Sequence, residues 1–114
     1  MGYCRALRKG DRIFVTGTAP VAPEGGVHGV GQPYEQAKRC LEIITEALAE
    51  LGATLADVTR TRMFVTDIER WEEFGRAHRE AFEQHPPTTT MVEVSRLIHP
   101  DMMIEIEADA VVGG

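Results

Sequence analysis

The amino-acid sequence predicts an α+β fold with the element order β-β-α-β-α-β-β, a mixed sheet carrying two helices on one face. Three observations predict it. Ala37, Leu41, Ile44, Leu48 and Leu51 recur at spacings of four, three, four and three, the period of one apolar helical stripe. The runs Arg12 to Thr18, Val58 to Thr66 and Ile104 to Ala110 alternate with period two, as half-buried strands do. Two long helical stretches connect strands, which places helices and sheet in separate layers.

Taken in order, Tyr3 to Arg8 and Arg12 to Thr18 flank Lys9-Gly10-Asp11, a short glycine-containing break typical of a β-hairpin. From Ala19 to Gln32 the chain holds Pro20, Pro23, Gly25, Gly26, Gly29 and Gly31, so it reads as a loop with only a brief strand near Val27 to Val30. Pro33 suits a first helical turn, and Gly52 ends the stripe that began at Ala37. In the next strand Thr59, Thr61, Met63 and Val65 fall on one side and Arg60, Arg62 and Phe64 on the other. Thr66-Asp67 offers caps for a second helix, whose Trp71, Phe74, His78 and Phe82 run until Pro86-Pro87 stops it. Thr89 to Leu97 and Met102 to Val112 close the chain as two strands. In the last one Ile104, Ile106, Ala108 and Ala110 form the side expected beneath the helices, and Met103, Glu105, Glu107 and Asp109 the other. That other face is expected to carry Met91, Glu93, Ser95 and Leu97 beside the carboxylates and to meet another subunit.

At 114 residues, 43% hydrophobic and 26% charged, the chain is expected to form one domain over residues 1–114. Its 12 Lys and Arg against 18 Asp and Glu leave a net charge of −6. A basic patch is the usual footprint of phosphate-backbone binding, so no nucleic-acid partner is expected. No run approaches the ~18 apolar residues of a membrane span, so no membrane partner is expected either. The first residues show no apolar leader, and Cys4 and Cys40 are the only cysteines, so a reduced, cytoplasmic protein is expected. His28, His78, His85 and His99 show no metal-ligand spacing, and the loop glycines match neither a dinucleotide fingerprint nor a P-loop, so neither metal nor cofactor is expected.

The carboxylates carry the chemical signal. A carboxylate on a covered sheet face needs a partner or shifts its pKa. Glu105 has two readings: a general base that activates water in a partly dry cleft, or an ion pair with Arg60, Arg62 or Arg96 that ties subunits together. Glu93 and Glu107 read as members of such a network, Thr88 to Thr90 as β-formers opening a strand, and Cys40 as a small core residue.

The hairpin opening at Tyr3, the strand end Phe14-Val15-Thr16-Gly17, the strand Arg62-Met63-Phe64-Val65-Thr66-Asp67 and the closing strand pair together resemble the Rid family. These YjgF-like proteins are also labelled endoribonuclease L-PSP, and the resemblance runs over nearly the whole chain in order. It implies a chorismate-mutase-like fold assembled as a homotrimer, with small-molecule clefts between subunits and hydrolysis of enamines and imines to ketoacids and ammonia. It also implies site residues: Tyr3 matches a cleft tyrosine, Thr16 a usual serine, and Glu105 the carboxylate that orients water. Where family members place an arginine that clamps the substrate carboxylate, two residues after the proline, this chain has Thr89. Met91 replaces a cleft cysteine and Gly75 a cleft asparagine. A hydroxyl cannot form the bidentate, charge-assisted pair of a guanidinium, whose hydrogen bonds contribute roughly 1.5 to 3 kcal/mol each. The expectation is therefore a hydrolase or deaminase for a small imine, enamine or related carbonyl compound, distinct from arginine-dependent iminoacid deaminases, with Arg5, Arg62 and Arg96 as the cations available to replace the clamp. The alternatives are a trimer that binds a small metabolite without chemistry and, opposed by the charge, an endoribonuclease.

Overall fold

The computed structural model describes residues 1–113. Its elements are β1 (Ala6–Lys9), β2 (Arg12–Thr18), α1 (Pro33–Glu50), β3 (Val58–Val65), α2 (Trp71–Phe82), β4 (Thr88–Glu93) and β5 (Ile104–Val111), with 3-10 turns at Leu55–Asp57 and Ile68–Arg70. The strands form one five-stranded sheet in the order β1-β2-β5-β3-β4. Only the β3–β4 pair is parallel, because α2 carries the chain back to the starting end of β3 before β4 begins. The sheet is thus mixed, in the predicted element order.

One face of the sheet holds the core. Ile13 and Val15 of β2, Met63 and Val65 of β3, and Ile104, Ile106, Ala108 and Ala110 of β5 pack against Ala37, Cys40, Leu41, Ile44 and Leu48 of α1 and Phe74, Ala77 and Phe82 of α2. The large aliphatic side chains of Ile13, Ile44, Leu48, Ile104 and Ile106 are among those with no exposed surface. Each contributes about 1.5–3 kcal/mol by leaving water. Turn chemistry agrees with the packing. Gly10, at φ 62°, opens the two-residue hairpin loop, and Gly52, at φ 82°, ends α1 as the stripe predicts. A capping box between Thr54 and Asp57 starts the turn that feeds β3, and the Asp67 carboxylate accepts the Glu69 N–H before α2.

Gln36 joins the two loops that frame the sheet end. It has no exposed surface, yet its amide donates to the carbonyls of Gly29 (3.3 Å) and Asp101 (2.8 Å), while its oxygen accepts the Met103 N–H (2.7 Å). The long glycine-rich loop and the segment leading into β5 are therefore fixed to α1 by one side chain.

Several expectations are corrected by the pairing. β4 ends at Glu93 and not at Leu97, because its only partner, β3, ends at Val65, opposite Glu93. Tyr3 to Arg5 lie outside β1, with Arg5 held by one bond from the Thr16 N–H to its carbonyl. Val27 forms a single bridge to Val21 in place of a strand from Val27 to Val30. Trp71 is 55% exposed, so the buried stripe of α2 is Phe74, Ala77 and Phe82. A bulge between Val58 and Arg60 turns Thr59 outward and leaves Val58 in the core.

The largest correction concerns β4. Met91 pairs with Met63 and Glu93 with Val65, so both lie on the helix-covered face and not beside Glu105 and Glu107. The open face instead carries the cross-strand rows Leu7–Phe14–Asp109–Arg60–Thr88, Glu107–Arg62–Thr90 and Glu105–Phe64–Val92.

Candidate functional site

The first cluster of candidate residues forms where β2 breaks its register. Pairing with β5 shifts between Val15 and Thr18, and Thr16-Gly17 bulges out of the ladder. Arg5 holds the bulge: its Nη1 donates to the Gly17 carbonyl (3.2 Å) and to Thr18 Oγ1 (3.3 Å), and the Thr18 hydroxyl donates to the Thr16 carbonyl (2.8 Å). The Glu105 carboxyl lies directly over Gly17. A Cβ placed on that glycine would stand 3.0 Å from Glu105 Cδ and 3.1 and 3.3 Å from its two oxygens, tighter than ordinary Cβ contacts, so the carboxyl would have to give way. Glycine is needed here for space, since its φ is not in the left-handed region. Glu105 is half-buried, and among the described residues no cation stands within 4.0 Å of it.

The ion-pair reading of Glu105 concerns a cation on a neighbouring subunit, so the pairs within one chain do not bear on it. Within the chain Arg62 reaches Glu107 (3.4 Å) and Asp109 (3.5 Å). Tyr3 and Thr16 share a groove of about 420 Å³ on the open face with Leu7, Phe14, Arg62 and Glu107. Tyr3 is 60% exposed, so its phenol is free to meet a ligand.

The second cluster lies on the helix-covered side of the edge strand. Thr61, with no exposed surface, shares a hydroxyl–hydroxyl hydrogen bond with Thr89 Oγ1 (2.6 Å) and bonds His78 Nε2 (2.8 Å). Burial pushes the His78 imidazole below its ordinary value of 6.5, and no charged neighbour contributes to that shift. Its ring rests on Phe82 with centroids 4.6 Å apart. Met91 packs against the core two residues further along β4. Gly75 is separate from both: it lies on α2 in a groove of about 490 Å³ lined by Trp71, Glu73, Arg76 and Arg79, and a Cβ there would meet nothing within 4 Å.

Three other candidates have structural partners. The Glu93 carboxylate accepts the Ile68 N–H (3.0 Å) and so caps the turn before α2, outside any network with Glu107. Arg62 and Arg5, as available replacements for a carboxylate clamp, are engaged with Glu107 and Asp109 and with the β2 bulge, and Arg96 lies exposed after β4. Sequence reasoning missed His78 and Thr61. Their signal was present, since a histidine and a threonine at core-facing positions of a helix and a strand each need a polar partner.

The candidates thus form two half-sites. Thr16 on β2 and Thr89 on β4 stand three strand spacings apart, about 14 Å, and Glu105 is separated from Thr89 by two spacings and by the sheet itself. One small molecule cannot touch both sets within one chain.

Comparison with known proteins agrees with this architecture. A family model described as Endoribonuclease L-PSP matches residues 1–112. The crystal structure of Rv2704 from Mycobacterium tuberculosis, a member of the YjgF/YER057c/UK114 family, is similar with a TM-score of 0.88 and 46% identity, covering 97% of this chain and 87% of that one. A RutC family protein of Pyrococcus abyssi is 38% identical over 108 residues, 95% of this chain and 84% of the relative. Escherichia coli TdcF, provisionally named a reactive intermediate deaminase, is 29% identical over 112 residues. Its crystal structure with bound serine is similar with a TM-score of 0.88, covering 97% of this chain and 88% of that one.

Proposed function

Because this chain belongs to the Rid family, the YjgF-like proteins also described as endoribonuclease L-PSP, we propose that it hydrolyses a small imine, enamine or related carbonyl compound in clefts between the subunits of a homotrimer. The observation that carries this reading is the split of the candidate residues into two half-sites on opposite faces of one sheet. A second copy is what brings an open-face cluster of Tyr3, Thr16 and Glu105 against the β4 edge with Thr89 and Met91, with Gly75 of α2 as a further contact. The open face supports the same association: Leu7, Phe14 and Val92 are 45%, 47% and 42% exposed on a surface flanked by Arg60 and Arg62.

In the proposed mechanism the Glu105 carboxylate takes a proton from a water as the water oxygen bonds to the C=N carbon. The proton held by Glu105 passes to the imine nitrogen, which leaves a neutral carbinolamine; the C–N bond then breaks as Glu105 carries the hydroxyl proton to the departing nitrogen, so that the C=O forms and ammonia or an amine leaves with both water protons. Thr16, Tyr3 and backbone N–H groups near Met91 stabilise the tetrahedral adduct by hydrogen bonds. With Thr89 at the clamp position, an iminoacid finds no guanidinium, which separates this protein from arginine-dependent iminoacid deaminases.

The test is turnover by Glu105→Gln. We expect ammonia release from amino-acid-derived imines to be abolished while sedimentation still reports a trimer. Surviving activity overturns the role of Glu105, and a stable monomer at micromolar concentration overturns the shared cleft. A second reading, metabolite binding without turnover, is favoured by the similarity to TdcF with bound serine. It predicts a ligand that raises the melting temperature and is recovered unchanged.

A further inference from the structure

We propose that His78, acting through Thr61, orients and polarises the Thr89 hydroxyl as an outward-facing hydrogen-bond donor, and that this donor selects an uncharged carbonyl or amide oxygen over a carboxylate. The proposal rests on the reading of the β4 edge as part of a ligand cleft.

The argument starts from the run Thr88-Thr89-Thr90, whose three hydroxyls have different surroundings. Thr88 donates to the Thr59 carbonyl (2.8 Å), which ties the start of β4 to β3. Thr90 shares the open face with Arg62 and Glu107. Thr89 alone faces the helix layer, level with Thr61, and it is exposed because β4 is the last strand of the sheet. Along its row the sheet continues through Thr61, Ala108 and Val15, so His78 and Thr89 are the polar partners that Thr61 has.

Proton counting then leaves two orders, and the proposal is the one that starts at His78. A threonine hydroxyl holds one proton, so that of Thr61 goes either to Thr89 (2.6 Å) or to His78 (2.8 Å), and in the proposed order it goes to Thr89. That order leaves the oxygen of Thr61 as the acceptor for His78 and requires the imidazole proton on Nε2. The Thr89 oxygen already accepts from Thr61, and its own proton turns outward. Each donation in such a chain strengthens the next, and the low polarity around Thr61 and His78 enhances the effect. The histidine is neutral when buried without a charged partner, so the outward donor brings no counter-charge. A carboxylate leaving water for it lacks compensation, whereas an uncharged carbonyl oxygen gives up much less hydration. His78 and Thr61 are positioning residues, and Thr89 is the group that touches the ligand.

Two measurements on the full-length protein test this. Nitrogen-15 NMR of the imidazole reports the tautomer, and the proton is expected on Nε2; a proton on Nδ1 with bare Nε2 reverses the chain and overturns the proposal. Calorimetric titration with pyruvamide and with pyruvate, probes that differ in an amide against a carboxylate, is expected to favour pyruvamide. Thr61→Val and Thr89→Val should each weaken pyruvamide about two- to tenfold with little change for pyruvate. His78→Gln, whose amide can still donate to Thr61, should restore the preference that His78→Phe removes, and Thr89→Arg should reverse it. Binding of pyruvate equal to or tighter than pyruvamide, no binding of either at millimolar concentration, or folded Thr61→Val and Thr89→Val proteins that bind as wild type overturns the proposal. Turnover that depends on Glu105 while these variants are indifferent refutes the relay alone; the amide preference without any turnover refutes the hydrolase reading alone.

Discussion

Replacing Gly17 by alanine separates the position of the Glu105 carboxyl from its chemistry. The added methyl would lie 3.0 Å from Glu105 Cδ and 3.1 Å from Oε2, against an optimum near 3.5–4.0 Å for carbon contacts, so the carboxyl has to retreat by a few tenths of an ångström. The backbone at Gly17 is open to L-residues, and a glycine-to-alanine change at a permissive position gains about 0.4–1 kcal/mol from the unfolded chain. That gain offsets most of the local crowding, and stability should stay within about 1 kcal/mol of wild type. Catalysis should be less tolerant: a misplacement of about 1 Å in a positioned group lowers turnover on the order of 100-fold, so a retreat of a few tenths should lower kcat roughly three- to tenfold. The assay is ammonia release from an imine substrate, measured as kcat beside a thermal melt. In the double variant with Glu105→Gln, Gly17→Ala should add nothing, since both changes remove the same contribution. A Gly17→Ala protein with wild-type kcat would refute the claim that the carboxyl above this glycine directs the water.

Two further outcomes concern stability. Gln36→Leu keeps the volume but leaves the Met103 N–H and the carbonyls of Gly29 and Asp101 without that partner, so urea unfolding should show a loss of roughly 3 kcal/mol, with the loops around the sheet end the first to exchange amide hydrogens. His78 is held below its ordinary 6.5 by burial, so the folded state refuses a proton that the unfolded chain accepts. Stability is then full above 6.5 and declines as pH falls toward the lower folded value, by no more than about 1.4 kcal/mol per pH unit from this group. Comparing wild type with His78→Phe from about pH 8 to about pH 5 isolates it, and equal slopes in the two proteins would contradict the burial argument.

What the sequence discloses and what it conceals divide along physical lines. The stripe from Ala37 to Leu48 and the alternation from Ile104 to Ala110 each repeat often enough to define a face, and both faces are buried as expected. The hairpin was legible because Gly10 sits where only a positive φ closes a two-residue loop. Strand β4 was misread because alternation alone does not say which side is covered. Its face is set by register with β3, and an edge strand has a single ladder to set it. Met91 and Glu93 consequently exchanged sides. At the candidate site, Glu105 was visible as a carboxylate in an apolar alternation, but its dependence on the empty space above Gly17 arises from a bulge between distant segments. The pairing of His78 with Thr61 spans 17 residues, and the hydroxyl contact from Thr61 to Thr89 spans 28, so local pattern could not join them.

The place of β5 also governs how the molecule can be made. It follows every other strand and helix in sequence, yet it lies between β2 and β3 and pairs with both. Until residues 104–111 arrive, the earlier segments amount to a hairpin and a separate parallel pair with bare adjoining edges, and the floor under α1 is missing. Closure of the sheet is therefore a late, long-range event, which makes folding slow relative to helical proteins of the same size and leaves unpaired strands open to neighbouring chains in the interval. A nascent or truncated polypeptide stopping before Ile104 should accumulate as a sticky, protease-sensitive species, and supplying the missing strand as a separate peptide should rescue it.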